Sequence, residues 1–335
     1  MNTNQPEAAQ DRHDAALGAL LGALVGDAAG APLEFMRPAP TLADAQRALT
    51  MPGGGVWGVA PGQITDDGEL TMCLLRALAA DSTFNLETIA QEYAAWVRSD
   101  PYDIGNTTRL ALGCFQDRTW RPICESAGYA VGMTEAAAAQ CMASKSNGSL
   151  MRATPLAIWG YRLPAVELAA YAHRDSTLSH PNPSCWQAVA AYVIAIAHLL
   201  NHSGDRLGAF AAAATWAAAN ANDEVQSWLA DAAQDVAVPY EPQIGFVRIG
   251  FTHAFRHLRQ GTGYVAALTE TLAGGGDTDT NACIVGGLIG AAVGAAAIPT
   301  ALRHAVLTCD TQRGQSRPTF LHPRQVPALV GTLLG

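Results

Sequence analysis

The sequence predicts an all-α protein that folds as a single compact domain of many helices. Hydrophobic residues make up 49% of its 335 residues, which is enough to bury a large core. Alanine is abundant while valine, isoleucine and aromatic residues are not, and this bias favours helix over strand. Apolar residues recur at helical spacing in nearly every segment. No stretch alternates apolar and polar residues for long enough to indicate a strand.

Breaks at Gly, Pro, Asn and Asp divide this pattern into a series of predicted helices. The first is dense in Gly and Ala, which allows a neighbouring helix to approach closely. The second has Thr65 or Asp66 in position to cap its start. Pro164, Pro183 and Pro299 lie at or near helix starts, where a missing N–H costs little. The predicted helices cover residues 15–29, 67–80, 86–98, 107–116, 134–142, 149–158, 164–174, 183–202, 206–219, 223–235, 246–258, 264–272, 279–297 and 300–306.

The chain shows no linker, charge block or repeat of fixed period. One domain over residues 15–335 is therefore predicted, preceded by a polar N-terminal tail over residues 1–14, and the Pro/Gly-rich patch 51–62 is interpreted as an ordered loop. The formal net charge of −9 argues against non-specific nucleic-acid binding, which requires positive charge to displace counterions.

The cysteines and apolar segments indicate a cytoplasmic protein without a membrane span. The seven cysteines are scattered, odd in number and never in C-x-x-C spacing, and residues 1–14 contain no apolar run of the signal-peptide type. The apolar segment 188–200 is too short to cross a bilayer. The segment 282–298 follows Asp277 and Asp279 directly and is interpreted as a buried helix.

Two acidic motifs are the strongest chemical signal in the sequence. They are Thr65-Asp66-Asp67 and, after three glycines, Asp277-Thr278-Asp279-Thr280, and each leads into an apolar helix. Each motif alone is also explained as a helix cap. Together they supply four carboxylates and two hydroxyls, an all-oxygen set that hard cations such as Mg²⁺ or Mn²⁺ prefer. Carboxylates gathered at one place would repel each other without cations between them.

Weaker motifs indicate an anion-binding cleft. Residues 103–108 place Gly105 before a helix start, a shape that binds anions and is also a common cap. Residues 146–152 form a turn before a helix, where Arg152 would meet a phosphate or a structural carboxylate. His180 is a loop residue that contacts ligand or is incidental. Glu34 is a general base or a solvated charge.

In order and spacing, these motifs resemble those of the ADP-ribosylglycohydrolase family, and the likeness runs from the first helix to the last long one. One departure is Gly68, where family members often carry Thr or Ser. The resemblance implies an orthogonal all-α fold and an enzyme that hydrolyses the bond between ribose C1″ of ADP-ribose and an acceptor. It implies two divalent cations, Mg²⁺ or Mn²⁺, held by Thr65, Asp66, Asp67, Asp277, Asp279 and Thr280.

The resemblance also implies roles for other residues. Asp67 would orient the attacking water, and Glu34 or Asp103 would move protons. An ADP-ribosylated protein is the expected partner, with arginine as the expected modified residue; serine-linked ADP-ribose, O-acetyl-ADP-ribose and a non-catalytic ADP-ribose-binding protein are the alternatives. Acceptor specificity is expected in the loops 37–62 and 119–128. The expected substrate contacts are Asp103, Gly105, Asn106, Thr107, Asn147, Gly148, Ser149, Met151, Arg152 and His180.

Overall fold

The computed structural model describes residues 4–81, 83–236 and 238–335, and within them the secondary structure is helical throughout. Seventeen α-helices and five short 3₁₀ helices follow one another, with no strand in the described residues. The all-α prediction is confirmed. The helices are α1 Asn4–Gly30, α2 Leu42–Ala48, α3 Asp66–Ala80, α4 Leu86–Arg98, α5 Asn106–Leu112, α6 Arg121–Ala127, α7 Tyr129–Gln140, α8 Thr154–Trp159, α9 Ala165–Ser176, α10 Pro183–Asn201, α11 Arg206–Asn220, α12 Asp223–Ala233, α13 Val247–Gln260, α14 Tyr264–Ala273, α15 Thr278–Val293, α16 Thr300–Leu307 and α17 Val326–Leu334.

The centre of the fold is an antiparallel pair of helices, α1 and α15, that touch through small residues. A Cβ atom on Gly22 would lie 2.3 Å from the carbonyl oxygen of Gly286, and one on Gly30 would lie 2.3 Å from the Cα of Asp279. Only glycine allows backbones to approach this closely. The contact places the end of α1 beside the start of α15. It thereby brings the acidic residues near the end of α1 close to the acidic motif at the start of α15.

Several predicted boundaries were wrong. Helix α1 begins at Asn4 rather than at residue 15, so most of the predicted polar tail is helical. Helix α8 begins at Thr154 rather than at residue 149, because residues 147–153 form successive turns. Helices α2, α6 and α17 were not predicted; α2 carries a capping box in which Thr41 and Asp44 bond each other's backbone.

Two helices are long and apolar enough to pass a test for membrane spans, and both are mostly inside the protein. The windows lie in residues 9–33 and in α10, and 89% and 83% of them are buried. Helix α10 has 19 residues, so the prediction that the segment is too short to span was wrong on length. Burial accounts for the apolar composition of α10, since core helices are hydrophobic on all sides.

A candidate metal centre in a helical cavity

A cavity lies where α1, α3 and α15 meet the loops before α5, α8 and α13. Its volume is about 640 Å³, a size suited to a small-molecule ligand. No Lys or Arg lies among the lining residues, so its charge comes from carboxylates. Its walls consist of Glu34, Phe35, Trp57, Asp66, Asp103, Ile104, Gly105, Asn106, Thr107, Thr108, Ser146, Asn147, Gly148, Met151, His180, Ile244, Gly245, Asp277, Asp279 and Thr280.

The start of α3 is held by Asp27 of α1. The Asp27 carboxylate accepts bonds from the Thr65 hydroxyl at 2.8 Å, the Thr65 amide at 3.0 Å and the Gly68 amide at 2.8 Å. Thr65 is the N-cap residue of α3, as one of the two predicted alternatives, but its side chain makes no cap bond to the helix. A Cβ on Gly68 would lie 2.5 Å from Asp27 Oδ2, which explains glycine at this position.

The two acidic motifs meet beside the end of α1. We call the carboxylates of Asp27, Glu34, Asp66, Asp67, Asp277 and Asp279 the acidic wall. Carboxylate oxygens of Asp27, Asp67 and Asp279 lie within 4.8 Å of one another, and so do those of Glu34, Asp277 and Asp279. Asp279 belongs to both groups, which makes the wall continuous.

Burial and mutual repulsion make this wall electrostatically unfavourable when all its members are charged. Burial, together with nearby carboxylates, raises the pKa of Asp66, Asp67 and Asp279 well above the usual value. Burial is also the main cause that raises the pKa of Asp27 to about 7 and that of Glu34 to about 8. No cation of the protein offsets this charge within the cavity lining.

The residues of the acidic wall fit a divalent cation. Asp67 Oδ1 is buried and has no hydrogen-bond partner among the described residues, although a buried polar atom normally has one. Its other oxygen faces the hydroxyls of Thr65 and Thr280, each at 3.3 Å. An orphaned carboxylate oxygen among further carboxylate and hydroxyl oxygens is the donor set of a hard cation.

Glu34 follows a 3₁₀ turn after α1 and points into the cavity. The indole N–H of Trp57 donates to Glu34 Oε2. Phe35, the next residue, has a φ of 55°, an uncommon backbone conformation for a non-glycine residue. Asp103 lies across the cavity; burial and the Asp277 carboxylate raise its pKa to about 7.

The opposite side of the cavity is uncharged and rich in hydrogen-bonding groups. We call Gly105, Asn106, Thr107, Ser146, Asn147, Gly148 and His180 the donor wall. Asn147 links the two walls, because its Nδ2 donates to Asp277 Oδ2 at 2.8 Å. Gly148 makes room for a side chain behind it, since a Cβ there would lie 2.8 Å from His180 Cε1.

Not every residue expected at the site reaches the cavity. Thr65 and Asp67 are fully buried beneath Asp66 and Thr280. Ser149 and Arg152 are fully buried and do not line the cavity, because Ser149 bonds Ser176 and Arg152 bonds Asp175. The expectation that these two contact substrate is corrected for this structure.

Other lining residues were missed from the sequence. Asp27, Trp57, Ser146, Phe35 and Ile244 belong to the site or its rim, and none of them was chosen as a site residue from the sequence; Asp27, Phe35 and Ser146 stood in motifs that had been singled out, whereas Trp57 and Ile244 did not. Of the two loops expected to set acceptor specificity, residues 37–62 contribute Trp57 to the cavity and residues 119–128 contribute nothing.

Together the helical fold, the buried acidic wall and the donor wall define a helical protein with a small-molecule cavity whose carboxylates could hold a metal ion. The family model described as ADP-ribosylglycohydrolase matches residues 8–322. The chain belongs to the ADP-ribosylglycohydrolase family, a family of enzymes.

Named relatives agree with this membership. The chain is 30% identical over 290 residues to the ADP-ribosyl-[dinitrogen reductase] glycohydrolase of Rhodospirillum rubrum, covering 86% of this chain and 88% of that protein. It is 34% identical over 164 residues to the ADP-ribosylarginine hydrolase Tri1 of Pseudomonas putida, covering 47% of this chain and 38% of that one. A solved ADP-ribosylglycohydrolase-related protein complex superposes with a TM-score of 0.74 at 24% identity, covering 97% and 98% of the two chains, and shows that the fold is shared.

Proposed function

We propose that this protein is a divalent-cation-dependent hydrolase that removes ADP-ribose from modified protein side chains, with arginine as the preferred acceptor. The observation that carries the proposal is the acidic wall, whose buried Asp67 oxygen lacks a partner at one side of a 640 Å³ cavity. Family membership supplies the ADP-ribose linkage as the class of bond. We also expect the protein in the reducing cytoplasm, in keeping with its buried, free cysteines.

The acidic wall would hold two cations, Mg²⁺ or Mn²⁺. The ligands would be Asp66, Asp67, Asp277 and Asp279, with the hydroxyls of Thr65 and Thr280. When bound, the cations would supply Lewis-acid activation of water and of ribose hydroxyls. Asp27 would keep the ligands in place, because it fixes the backbone amides of Thr65 and Gly68.

Two carboxylates are placed to move protons. Glu34 lines the cavity while its Oε2 accepts from Trp57, and its carboxyl group would take or deliver a proton there. Asp103 faces the same space from the start of the α5 segment. A positive charge that develops at ribose C1″ during cleavage would be stabilised by these neighbouring carboxylates.

The donor wall would bind the diphosphate and distal ribose. Gly105, Asn106 and Thr107 at the start of α5 line the cavity, and the backbone amides and hydroxyl of such residues bind phosphate oxygens.

An arginine acceptor suits the charge of the cavity. A guanidinium group is a permanent cation, and the lining contains carboxylates without any Lys or Arg to repel it. The Pseudomonas putida relative carries the name ADP-ribosylarginine hydrolase, which supports the same acceptor.

The test is a comparison of three substrates: an arginine-ADP-ribosylated protein, a serine-ADP-ribosylated peptide and O-acetyl-ADP-ribose. Each is incubated with Mg²⁺ or Mn²⁺, then with chelator, and released ADP-ribose is measured. We expect cation-dependent release, fastest from arginine. Release only from one of the other two would correct the acceptor, and ADP-ribose binding without any release would favour a binding protein.

A further inference from the structure

Arg152 is a buried cation that does not line the cavity; its one hydrogen bond to a lining residue is a long one, from Nη1 to the Gly148 carbonyl at 3.5 Å. Its side chain is fully buried and stacks over the ring of Tyr93 at 4.6 Å. Its Nη2 donates to the Asp175 carbonyl at 3.0 Å, its Nε lies 3.3 Å from Asp175 Oδ2, and its Nη1 donates to Ser179 Oγ at 2.9 Å. Because a guanidinium can only donate, Ser179 Oγ accepts in this last bond.

This bond decides where the single hydroxyl hydrogen of Ser179 points. The Ser179 Oγ lies 2.8 Å from His180 Nδ1, and among the described residues no other acceptor is within its reach. The hydroxyl therefore donates to Nδ1, and the ring carries its hydrogen on Nε2. His180 stays neutral near pH 7, because burial and the charge of Arg152 lower its pKa to about 3.

From His180, hydrogen bonds donated in the same direction continue through hydroxyl groups towards the cavity. His180 Nε2 lies 2.9 Å from Ser146 Oγ and, as the protonated nitrogen, donates to it. Ser146 Oγ lies 3.1 Å from Ser144 Oγ, which in turn lies 2.8 Å from Thr107 Oγ1. If each hydroxyl donates to the next one, the Thr107 hydroxyl accepts the last of these bonds. Its own hydrogen is then free to be donated to a ligand in the cavity that Thr107 lines.

We propose that Arg152, acting through Ser179, fixes His180 as the Nε2–H tautomer and so turns the hydroxyls of the donor wall into donors towards the ligand. The group recognised is an oxygen that can only accept, such as a phosphate oxygen. Arg152 and Ser179 are then positioning residues, which explains a buried cation directly behind the donor wall that does not itself line the cavity. The assignment of the ligand as a diphosphate rests on the proposed function, whereas the tautomer does not.

The tautomer can be measured directly in the full-length protein. Long-range ¹H–¹⁵N correlation spectra of protein with ¹⁵N-labelled histidine at pH 7 distinguish the two neutral forms, and a His180→Gln variant assigns the resonances. We expect the Nε2–H form in the wild type. Ser179→Ala removes the hydroxyl that donates to Nδ1, so we expect the Nδ1–H form to become populated. Ser146→Ala, on the other side of the ring, should keep Nε2–H.

A wild-type ring protonated on Nδ1, or a Ser179→Ala spectrum identical to the wild type, would overturn the proposal. A change of tautomer in Ser146→Ala would do the same, because the ring would then be set from the cavity side. Ser179→Ala is a small buried change, and the wild-type spectrum tests the proposal without any variant.

Ligand affinity gives the second measurement. We expect Ser179→Ala to weaken ADP-ribose binding about tenfold, the scale of one lost hydrogen bond to a charged group. Ser176→Ala is the matched control: Ser176 is an equally buried neighbour that bonds Ser149 and the His180 carbonyl outside the chain of donors, and its loss should leave the affinity within about twofold. Equal losses in both variants would contradict the positioning role. If the wild type binds no ADP-ribose but shows the Nε2–H ring, the proposed function is contradicted and the assignment of the tautomer is still supported.

Discussion

The two walls of the cavity differ in how completely their polar atoms find hydrogen-bond partners within the protein. In the donor wall, His180 has a partner on each ring nitrogen, at 2.8 and 2.9 Å. In the acidic wall, Asp67 Oδ1 has no partner, and its neighbours are other carboxylates. A wall whose polar atoms are already hydrogen-bonded without a ligand is pre-organised for binding. A wall whose carboxylates repel one another requires an added positive charge. The comparison indicates that ligand contacts and cation binding are separable properties of one cavity.

The largest expected effect comes from Asp67→Asn, which keeps the size of the side chain and removes its charge. We expect cation binding to be lost and hydrolysis to fall by about a thousandfold, because the acidic wall loses its most buried ligand. Titration calorimetry with Mn²⁺ and the ADP-ribose release assay measure the two effects. Glu135→Gln, on an exposed face of α7, is the control. Full activity in Asp67→Asn would show that hydrolysis does not depend on the acidic wall.

Asp27→Asn tests the support beneath the acidic wall. The amide can accept through one oxygen only, whereas the carboxylate accepts bonds from Thr65 and Gly68. We expect cation affinity to fall roughly 10- to 100-fold, the range seen when groups that orient metal ligands are replaced. The measurement is the same Mn²⁺ titration. Unchanged affinity would show that Asp27 serves only as a helix cap.

Gly148→Ala tests the donor wall alone. The added methyl would lie 2.8 Å from His180 Cε1 and must displace the ring. We expect ADP-ribose affinity to fall about tenfold, while Mn²⁺ binding in the absence of ADP-ribose stays unchanged. Loss of both in a folded variant would contradict the separation of the two walls.

The smallest expected effect is a dependence of stability on pH in protein stripped of cations. Asp27, Glu34 and Asp103 have folded-state pKa values raised to about 7, 8 and 7, so the folded state binds more protons than the unfolded state between pH 4 and 8. Stability therefore falls as pH rises through this window. We expect Tm with chelator to drop by roughly 5 °C between pH 5 and 8.

Scanning fluorimetry with chelator and with Mg²⁺ measures this prediction. Cations should remove most of the drop, because they offset the charge that deprotonation creates. A Tm that rises with pH in chelator, or that responds identically with and without Mg²⁺, would contradict it.

Local signals made part of this structure predictable. Helix α4 was predicted with its observed bounds, since Asn85 caps it and its apolar residues repeat at helical spacing. The two acidic motifs were found from their composition, and the structure brings their carboxylates to one cavity. What the sequence could not provide was the reason they meet, which is the close packing of α1 on α15 through Gly22 and Gly286.

Long-range partners account for most of what was missed. Asp27 caps a helix that begins 39 residues later, and Trp57 bonds a carboxylate 23 residues before it. Arg152 carried two open interpretations, phosphate or structural carboxylate; it lies in the turns before α8, and its partner Asp175 lies in α9. Short-range patterns contain no information on such pairs, because they form only when separate helices pack.

The most direct test of the central claim is titration of Mn²⁺ into cation-free protein, monitored by calorimetry and by the electron paramagnetic resonance of the free ion. The account predicts two bound cations per chain in the wild type and their loss in Asp67→Asn, with hydrolysis of ADP-ribosylated arginine rising in proportion to occupancy. A wild type that binds no Mn²⁺, or that hydrolyses equally well without it, would contradict the assignment of the acidic wall as a metal centre.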